Sequence, residues 1–362
     1  MNNDTKICFF NSVRSWGGGE KWHLDMASVL FSEGVNLFFV ANKKSVLAQK
    51  LEVASIPFYK LLIGNLSFLN IFKLYRLYRI FKKENTDTLI MNASADIKAA
   101  GIAAKMAGVR RIIYRRGSAI PIRNTHLNRF IFKHILTDVI ANSEETKKTI
   151  NQNNPILFPP EQIKVIYNGL HTDLLPPLPN KNRNSSNEFI IGNAARLVIQ
   201  KGHDLLIDIA VELKKTTSEF KILVAGDGPL REHTEKLICQ NNLQKNVVLL
   251  GFKSNIYDFM DSLDVFILTS KWEGFGYVLV EAMLRKKPIV AWKLSSNPEL
   301  VKHGKNGFLC EPFDVKDFSN KIIDLIRDPQ QREDFGEYGY EFASRNFTII
   351  SAAKSLREFL NV

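Results

Sequence analysis

Residues 265–284 read Val265-Phe-Ile-Leu-Thr-Ser-Lys-Trp-Glu273-Gly-Phe-Gly276-Tyr-Val-Leu-Val-Glu281-Ala-Met-Leu284. Four apolar, β-prone residues come first, and Val265–Leu268 has the length and continuity of a strand buried on both faces. The loop that follows carries Glu273 and two glycines, Gly274 and Gly276. From Tyr277 to Leu284 the chain is apolar except for Glu281, which predicts a helix packed on that strand. Glu273 falls on the loop and Glu281 on the first turns of the helix, with seven residues between them. Strand, glycine turn and helix make one unit of a parallel α/β sheet, and such sheets bind ligands beyond the carboxyl ends of their strands.

The same rhythm runs outward in both directions. Before residue 175, short apolar runs at Lys6–Phe10, Asn36–Val40, Thr88–Met91, Arg111–Tyr114, Asp138–Ala141 and Lys164–Tyr167 alternate with helical stretches at Trp22–Ser32, Leu69–Lys83, Ile97–Ala107, Asn128–Leu136 and Glu144–Asn151. The segment Pro176-Pro-Leu-Pro-Asn-Lys-Asn-Arg-Asn-Ser-Ser-Asn187 breaks the pattern and reads as a linker. A second series follows, with strands at Phe189–Ala194, Lys221–Ala225, Val247–Gly251, Val265–Leu268 and Pro288–Ala291. The expected organisation is an N-terminal domain over 1–175, a linker over 176–187 and a C-terminal domain over 188–345. Two domains also fit a chain of 362 residues. Two such halves facing each other would form a cleft, a usual place for a ligand.

Composition excludes several classes. With 45% hydrophobic and 24% charged residues the chain is ordinary globular protein, and its longest apolar runs fall far short of a membrane span. Cys8, Cys239 and Cys310 are far apart and odd in number, so they form neither a disulfide framework nor a metal pattern. Each is expected to be a small hydrophobe in or near a core. A reduced, cytoplasmic protein follows as the expectation. The net charge of +12 is divided unevenly: residues 1–180 hold 24 Lys and Arg against 13 Asp and Glu, and the remainder 25 against 24. Such asymmetry implies an anionic partner for the first half. Along Ile71–Lys83, Lys73, Arg76, Arg79 and Lys83 lie to one side of Leu74, Leu77, Tyr78 and Phe81. That pattern fits either a packed helix with a solvated basic edge or peripheral contact with the inner face of an anionic membrane.

The strand ends of the second half carry the chemistry. After Phe189–Ala194 come Arg196 and then Lys201-Gly202 before a helix, a set suited to a diphosphate, with cations and free amides together. Gly226-Asp-Gly228-Pro229 reads as a tight strand-to-helix turn. Gly274 and Gly276 let backbone amides near Phe275 approach an anion, and a carboxylate such as Glu281 accepts from vicinal hydroxyls. Near the N-terminus, Gly17-Gly-Gly19 follows the first strand, but no acidic residue completes a dinucleotide fingerprint. No metal-ligand motif is present, and no nucleic-acid-recognition motif accompanies the basic charge.

Taken together, Gly17-Gly-Gly-Glu20, Val139-Ile-Ala-Asn-Ser-Glu144, Val165-Ile-Tyr-Asn-Gly-Leu170, Ala195-Arg196 with Lys201-Gly202, Leu223-Val-Ala-Gly-Asp-Gly-Pro229, Glu273-Gly-Phe-Gly276 through Glu281-Ala-Met283, and Asn306-Gly-Phe-Leu309 resemble the family-4 retaining glycosyltransferases of the GT-B fold. The resemblance covers almost the whole chain. It implies two Rossmann-like parallel-sheet domains facing across a cleft, with the last helix, about 346–362, packed back on the first domain. It implies a nucleoside-diphosphate sugar donor, UDP- or GDP-linked, and no required metal. By resemblance Arg196 and Lys201 neutralise the diphosphate, Glu273 contacts the transferred sugar, and Glu281 holds the ribose. Gly274, Phe275 and Gly276 lie at the donor, and Gly17 and Gly18 back it from the other domain. A saccharide or lipid-linked acceptor, in envelope polysaccharide, lipopolysaccharide or glycolipid synthesis, completes the expectation. One departure stands out: many members carry a His just after the strand that is Arg111–Tyr114 here, and this chain has Arg115-Arg116-Gly117-Ser118. The same fold also serves sugar-nucleotide epimerases, phosphorylase-like enzymes and non-catalytic sugar-nucleotide-binding subunits. Dependence of turnover on an acceptor separates those readings from transfer.

Overall fold

The protein is described by a computed structural model over residues 5–179 and 188–362. The later part of the expected linker, 180–187, lies outside the described residues. The chain divides into two compact units, Met1–Gly169 with Ile349–Val362, and Leu170–Thr348.

The first unit is built on a sheet of seven parallel strands: β1 Ile7–Asn11, β2 Leu37–Asn42, β3 Phe58–Leu61, β4 Thr88–Met91, β5 Arg111–Arg116, β6 Asp138–Ala141 and β7 Ile163–Val165. They lie in the order β3-β2-β1-β4-β5-β6-β7. In β1, Cys8 and Phe10 join one apolar cluster, while Ile7 and Phe9 join another with Trp22, Met26 and Leu30. Alternate side chains of a strand point to opposite faces, so the sheet is covered on both. The last helix, Ile349–Leu360, completes the second of these clusters through Ile349, Ala352, Ala353, Leu356 and Leu360. Arg111 Nη1 donates to the Phe359 carbonyl at 2.8 Å and the Arg357–Glu33 ion pair spans 2.9 Å, fixing that helix to the unit.

The second unit holds six parallel strands: β8 Phe189–Ala194, β9 Phe220–Ala225, β10 Val247–Gly251, β11 Val265–Leu268, β12 Ile289–Trp292 and β13 Gly307–Cys310. Their order is β10-β9-β8-β11-β12-β13. Local chemistry sets the intervening helices. Asn255 and Asp314 cap their helices by accepting from the amides of Asp258 and Asp317, and Asp328 caps Pro329–Asn346 through Gln331. Arg285 is buried, pairs with Asp261, and donates to the carbonyls of Pro176 and Pro177 at 2.7 and 3.0 Å. This clamp ties the start of the Pro-rich segment to the second unit.

Cys8 and Cys310 are buried, as expected, but Cys239 is exposed. It occupies the outer side of the helix Arg231–Gln240, whose buried positions are Thr234 and Ile238. Among the described residues, no helix is long and apolar enough to cross a membrane.

Candidate functional site

In the second unit the chain runs from β8 outward to β9 and β10, then returns to place β11 on the other side of β8. That reversal is a topological switch point, where loops leave the sheet in opposite directions and open a crevice. The pairing shows the opening directly. β8 pairs with β9 through six residues as far as Ala194, but with β11 only at Val265↔Ile191 and Phe266↔Gly192. Beyond Gly192 the buried Asn193 spans the gap, its Nδ2 donating to the Ile267 carbonyl at 3.0 Å.

The loops that leave β8 and β11 carry Lys201 and Glu273, whose side chains form an ion pair. Glu273 is the more enclosed, with its side chain 8% exposed against 17% for Lys201. Ser270 Oγ donates to the same Glu273 oxygen at 2.7 Å. The loops are also laced through their backbones: Lys271 N donates to the Gln200 carbonyl at 2.8 Å, and Thr269 Oγ1 to the Lys201 carbonyl at 3.0 Å. Gly202, at φ +62°, caps the helix His203–Lys214, and a Cβ there would lie 2.3 Å from the Thr269 carbonyl oxygen. Next to Lys201, burial holds His203 down at about 4, so that ring is neutral at physiological pH.

Arg196 is exposed on the loop after β8, and among the described residues no carboxylate pairs with it. Its position comes from the Gly226–Gly228 turn. Ala195 N donates to the Ala225 carbonyl at 2.9 Å and Leu197 N to the Asp227 carbonyl at 3.0 Å. A Cβ on Gly226 would fall 1.9 Å from the Ala195 oxygen, and one on Gly228 would fall 2.5 Å from that of Leu197. The close approach that those glycines permit is therefore to the protein's own Arg196 loop.

Gly276, at φ +83°, starts the helix Tyr277–Leu284. The Phe275 side chain points into the core, 3% exposed and edge-on to Tyr277 and Phe347 at 5.6 Å each, so the ring is turned away from any ligand. Glu281 is half-buried on the second turn of this helix. Burial, with the Glu281 charge adding to it, pushes the nearby Tyr257 hydroxyl up to about 12. Lys201 and Glu273 are thus brought into contact, with Arg196 on the same loop as Lys201 and Glu281 on the helix that follows Glu273.

The first unit has its own switch point, between β1 and β4. Gly17 and Gly18 are exposed at the N-terminus of the helix Gly18–Ser32, whose free amides favour an anion. Behind them lies a polar cluster of which the sequence motifs mark only Glu20, Asn168 and Arg115. Glu20, 5% exposed, accepts from Asn11 Nδ2 at 3.2 Å and from Asn92 Nδ2 at 3.1 Å. Arg115 stands over the Trp22 ring and donates to Asn92 at 3.3 Å and to Asn168 at 2.8 Å. Arg115 is thus buried in a network. Arg116 instead donates to the Ile120 carbonyl.

Asp96 closes the cluster, accepting from Ser12 N at 3.3 Å and Ala93 N at 2.9 Å. Burial raises its carboxyl to about 7 against those two bonds. A raised acid favours the fold while protonated, so this contribution is complete below the unfolded value near 4 and is lost as pH rises towards 7. Relative to Asp96→Asn, wild type is expected to lose up to roughly 4 kcal/mol between those limits, at about 1.4 kcal/mol per unit. Urea unfolding of both proteins at about pH 4.5 and about pH 8 measures it, and a pH-independent difference would refute the assignment. Among the described residues, no three His, Cys, Asp or Glu side chains gather as a bound cation would require.

Comparison with known proteins places these features. The family described as Glycosyltransferase Family 4 matches residues 16–174, and that described as Glycosyl transferases group 1 matches residues 176–342. An uncharacterised glycosyltransferase of Methanocaldococcus jannaschii is 31% identical over 243 residues, 66% of this chain and 64% of that protein. The poly(ribitol-phosphate) alpha-N-acetylglucosaminyltransferase of Staphylococcus aureus is 29% identical over 184 residues, 51% of this chain and 37% of its own length. Both matches therefore span less than two thirds of the curated relative. Among solved structures, Anabaena HepE in complex with UDP and glucose superposes with a TM-score of 0.84 at 25% identity, covering 99% of each chain. The two family matches adjoin, meeting the two units in turn with only residue 175 between them, and the fold is that of the GT-B enzymes. The chain belongs to the group 1, family 4 glycosyltransferases.

Proposed function

We propose that this protein transfers a glycosyl group, with retention of configuration, from a nucleoside-diphosphate sugar to an acceptor hydroxyl. The observation that carries the reading is the Lys201–Glu273 pair at the switch point of the second unit, with Arg196 on the same loop as Lys201. Departure of a diphosphate builds negative charge on its oxygen and positive charge on the sugar ring. Arg196, the remaining Lys201 N–H donors and the amides at Gly274–Gly276 stabilise the first charge as it forms. Glu273, fixed by Lys201 and Ser270, orients the sugar, and Glu281 accepts from ribose hydroxyls. Both carboxylates belong to one loop-and-helix segment, so the reading is binding rather than the paired-carboxylate chemistry of hydrolysis. In the retaining course, the acceptor oxygen bonds to the anomeric carbon on the face the diphosphate leaves. Its proton passes to a leaving phosphate oxygen.

The donor is read as a UDP-sugar, supported by the UDP complexes of HepE. An anionic saccharide or lipid-linked acceptor is supported by the basic first unit and by the phosphate polymer in the name of the Staphylococcus relative. Envelope polysaccharide or glycolipid synthesis is the matching role. A thermal-shift series with UDP, GDP and their sugars tests the donor. Ligand at a hundred times its Kd is expected to stabilise by about 2.7 kcal/mol. Failure of every nucleotide to raise the Tm would overturn the reading, and turnover of donor without acceptor would favour an epimerase.

A further inference from the structure

Between Val53 and Lys83 the chain contains no acidic residue, while Lys60, Lys73, Arg76, Arg79, Lys82 and Lys83 supply six cations. The helix Ile71–Lys83 buries Leu77, Ile80 and Phe81, which accounts for its inner face. It leaves Ile71, Phe72 and Tyr75 outside, at 73%, 83% and 56% exposed. The loop before it adds Leu62, Leu66 and Leu69, at 42%, 72% and 71%. Isolated surface leucines are ordinary, but a run of six large apolar side chains between Leu62 and Tyr75 marks a contact surface.

The charges sit against that surface. A cavity of about 570 Å³ is lined by Arg14, Leu66, Ser67, Asn70 and Lys73, among others. A second of about 290 Å³ shares Leu62, Ile63 and Lys73 with it and adds Lys43, Lys60 and Arg76. The loop is held in shape: Ser67 Oγ accepts from Gly64 N at 2.9 Å and from Lys73 Nζ at 3.2 Å, and Asn70 caps the helix through Lys73 N. Lys60 pairs with Glu52, whereas among the described residues no carboxylate pairs with Arg14, Lys43, Lys73 or Arg76. Protruding apolar side chains beside unneutralised cations match a layer that is anionic at its surface and apolar just beneath. A bilayer of acidic lipids has that order, with the cations drawn to its headgroups and the apolar side chains to the acyl boundary.

We propose that this surface docks on an anionic lipid bilayer, with Leu66, Leu69, Ile71 and Phe72 entering the headgroup–acyl boundary and lipid phosphates meeting Arg14, Lys43, Lys73 and Arg76. The purpose of the contact, reaching a lipid-linked acceptor, rests on the glycosyltransferase reading; the geometry of the surface does not.

The test is flotation of the full chain with phosphatidylcholine vesicles and with vesicles that also contain phosphatidylglycerol. Binding is expected only to the second, and it should fall with salt. Lys73→Gln with Arg76→Gln should weaken it about fivefold per charge. Leu69→Ser with Phe72→Ser should weaken it by roughly tenfold or more. Leu69, Phe72 and Arg76 are exposed, and half-buried Lys73 gives up one side-chain hydrogen bond to Ser67, so each variant should stay close to the wild-type Tm, which separates lost docking from lost folding. No flotation, equal flotation with neutral lipid, or variants that bind as well as wild type would overturn the proposal. Stabilisation by soluble glycerol phosphate without flotation would equally overturn it, showing a site for free phosphate. A null nucleotide screen beside lipid-dependent flotation would remove the transferase reading and leave the docking surface standing.

Discussion

Replacing Lys201 with alanine is expected to lower kcat/KM for glycosyl transfer by on the order of 10²-fold or more, the usual cost of one preorganised charge contact to a developing anion. Lys201 is fixed from several directions. Its carbonyl accepts from Thr269, the next residue is a glycine locked against the Thr269 carbonyl, and its ammonium is paired with Glu273. The substitution also leaves Glu273, 6% exposed, with a serine hydroxyl in place of a cation. Breaking a largely buried pair from one side costs about 3–5 kcal/mol in comparable cases, so Tm must be measured alongside turnover. Lys201→Arg keeps the charge and should recover part of the activity at wild-type stability. Glu273→Gln keeps the shape, frees the ammonium, and tests whether the carboxylate is needed for the sugar. If Lys201→Ala turns over within a few-fold of wild type while folded, the assignment of Lys201 to the leaving group is wrong.

Gly226→Ala should be the most damaging small substitution in the second unit. At φ +146° the backbone is in a region closed to side chains, and the added Cβ would lie 1.9 Å from the Ala195 carbonyl oxygen. The obstacle is backbone, so relief requires the β8 and β9 loops to separate, breaking the bonds that fix Ala195 and Leu197. A loss of roughly 3–5 kcal/mol is expected, in the range of severe strain and packing defects. Because Arg196 rides on the displaced loop, any folded fraction should also bind donor more weakly. Urea unfolding and nucleotide titration measure the two effects, and a variant with unchanged Cm would refute this account.

Much of the architecture was legible from apolar runs and caps. The helices at Glu144–Asn151 and Tyr277–Leu284 and the strands at Thr88–Met91 and Val265–Leu268 fall where the sequence puts them, and Ile349–Leu360 falls within the last helix that the family resemblance implies. Phe58–Leu61 and Gly307–Cys310 were not read as strands. Each has only four residues, the first is a half-exposed edge and the second opens on a glycine. The helix Pro329–Asn346 was hidden by Gly336 and Gly339, which propensity counts against a helix. Packing supplies the reason for the first of these: a Cβ on Gly336 would lie 2.3 Å from the Lys286 carbonyl oxygen. The unit boundary likewise falls at Gly169/Leu170, where a reading from proline content placed it near 175.

The motif residues divide in the same way. Ser143 caps Glu144–Asn151, and Asn306 satisfies the turn before β13 by accepting from Lys302 N and donating to Leu300 O. Those parts of the pattern build the scaffold and say nothing by themselves about chemistry. Asn92, Asp96 and Asn193 gave no sequence signal, because single polar residues at strand ends look alike until the sheet brings them together.

By itself the sequence determined two parallel α/β units, the order of their elements and the residue types near the strand ends, because strand and helix periodicities are local properties. It also determined that Glu273, Gly276 and Glu281 share one strand–turn–helix segment. Only the tertiary structure decided that Glu273 meets Lys201, 72 residues away, and that Arg115 is enclosed by Asn92, Asn168 and Trp22. Only it showed that Gly226 serves the Arg196 loop. Strand order is the physical reason: β8 and β11 are neighbours because the sheet reverses between them, and that crossover is set by the packing of the whole unit.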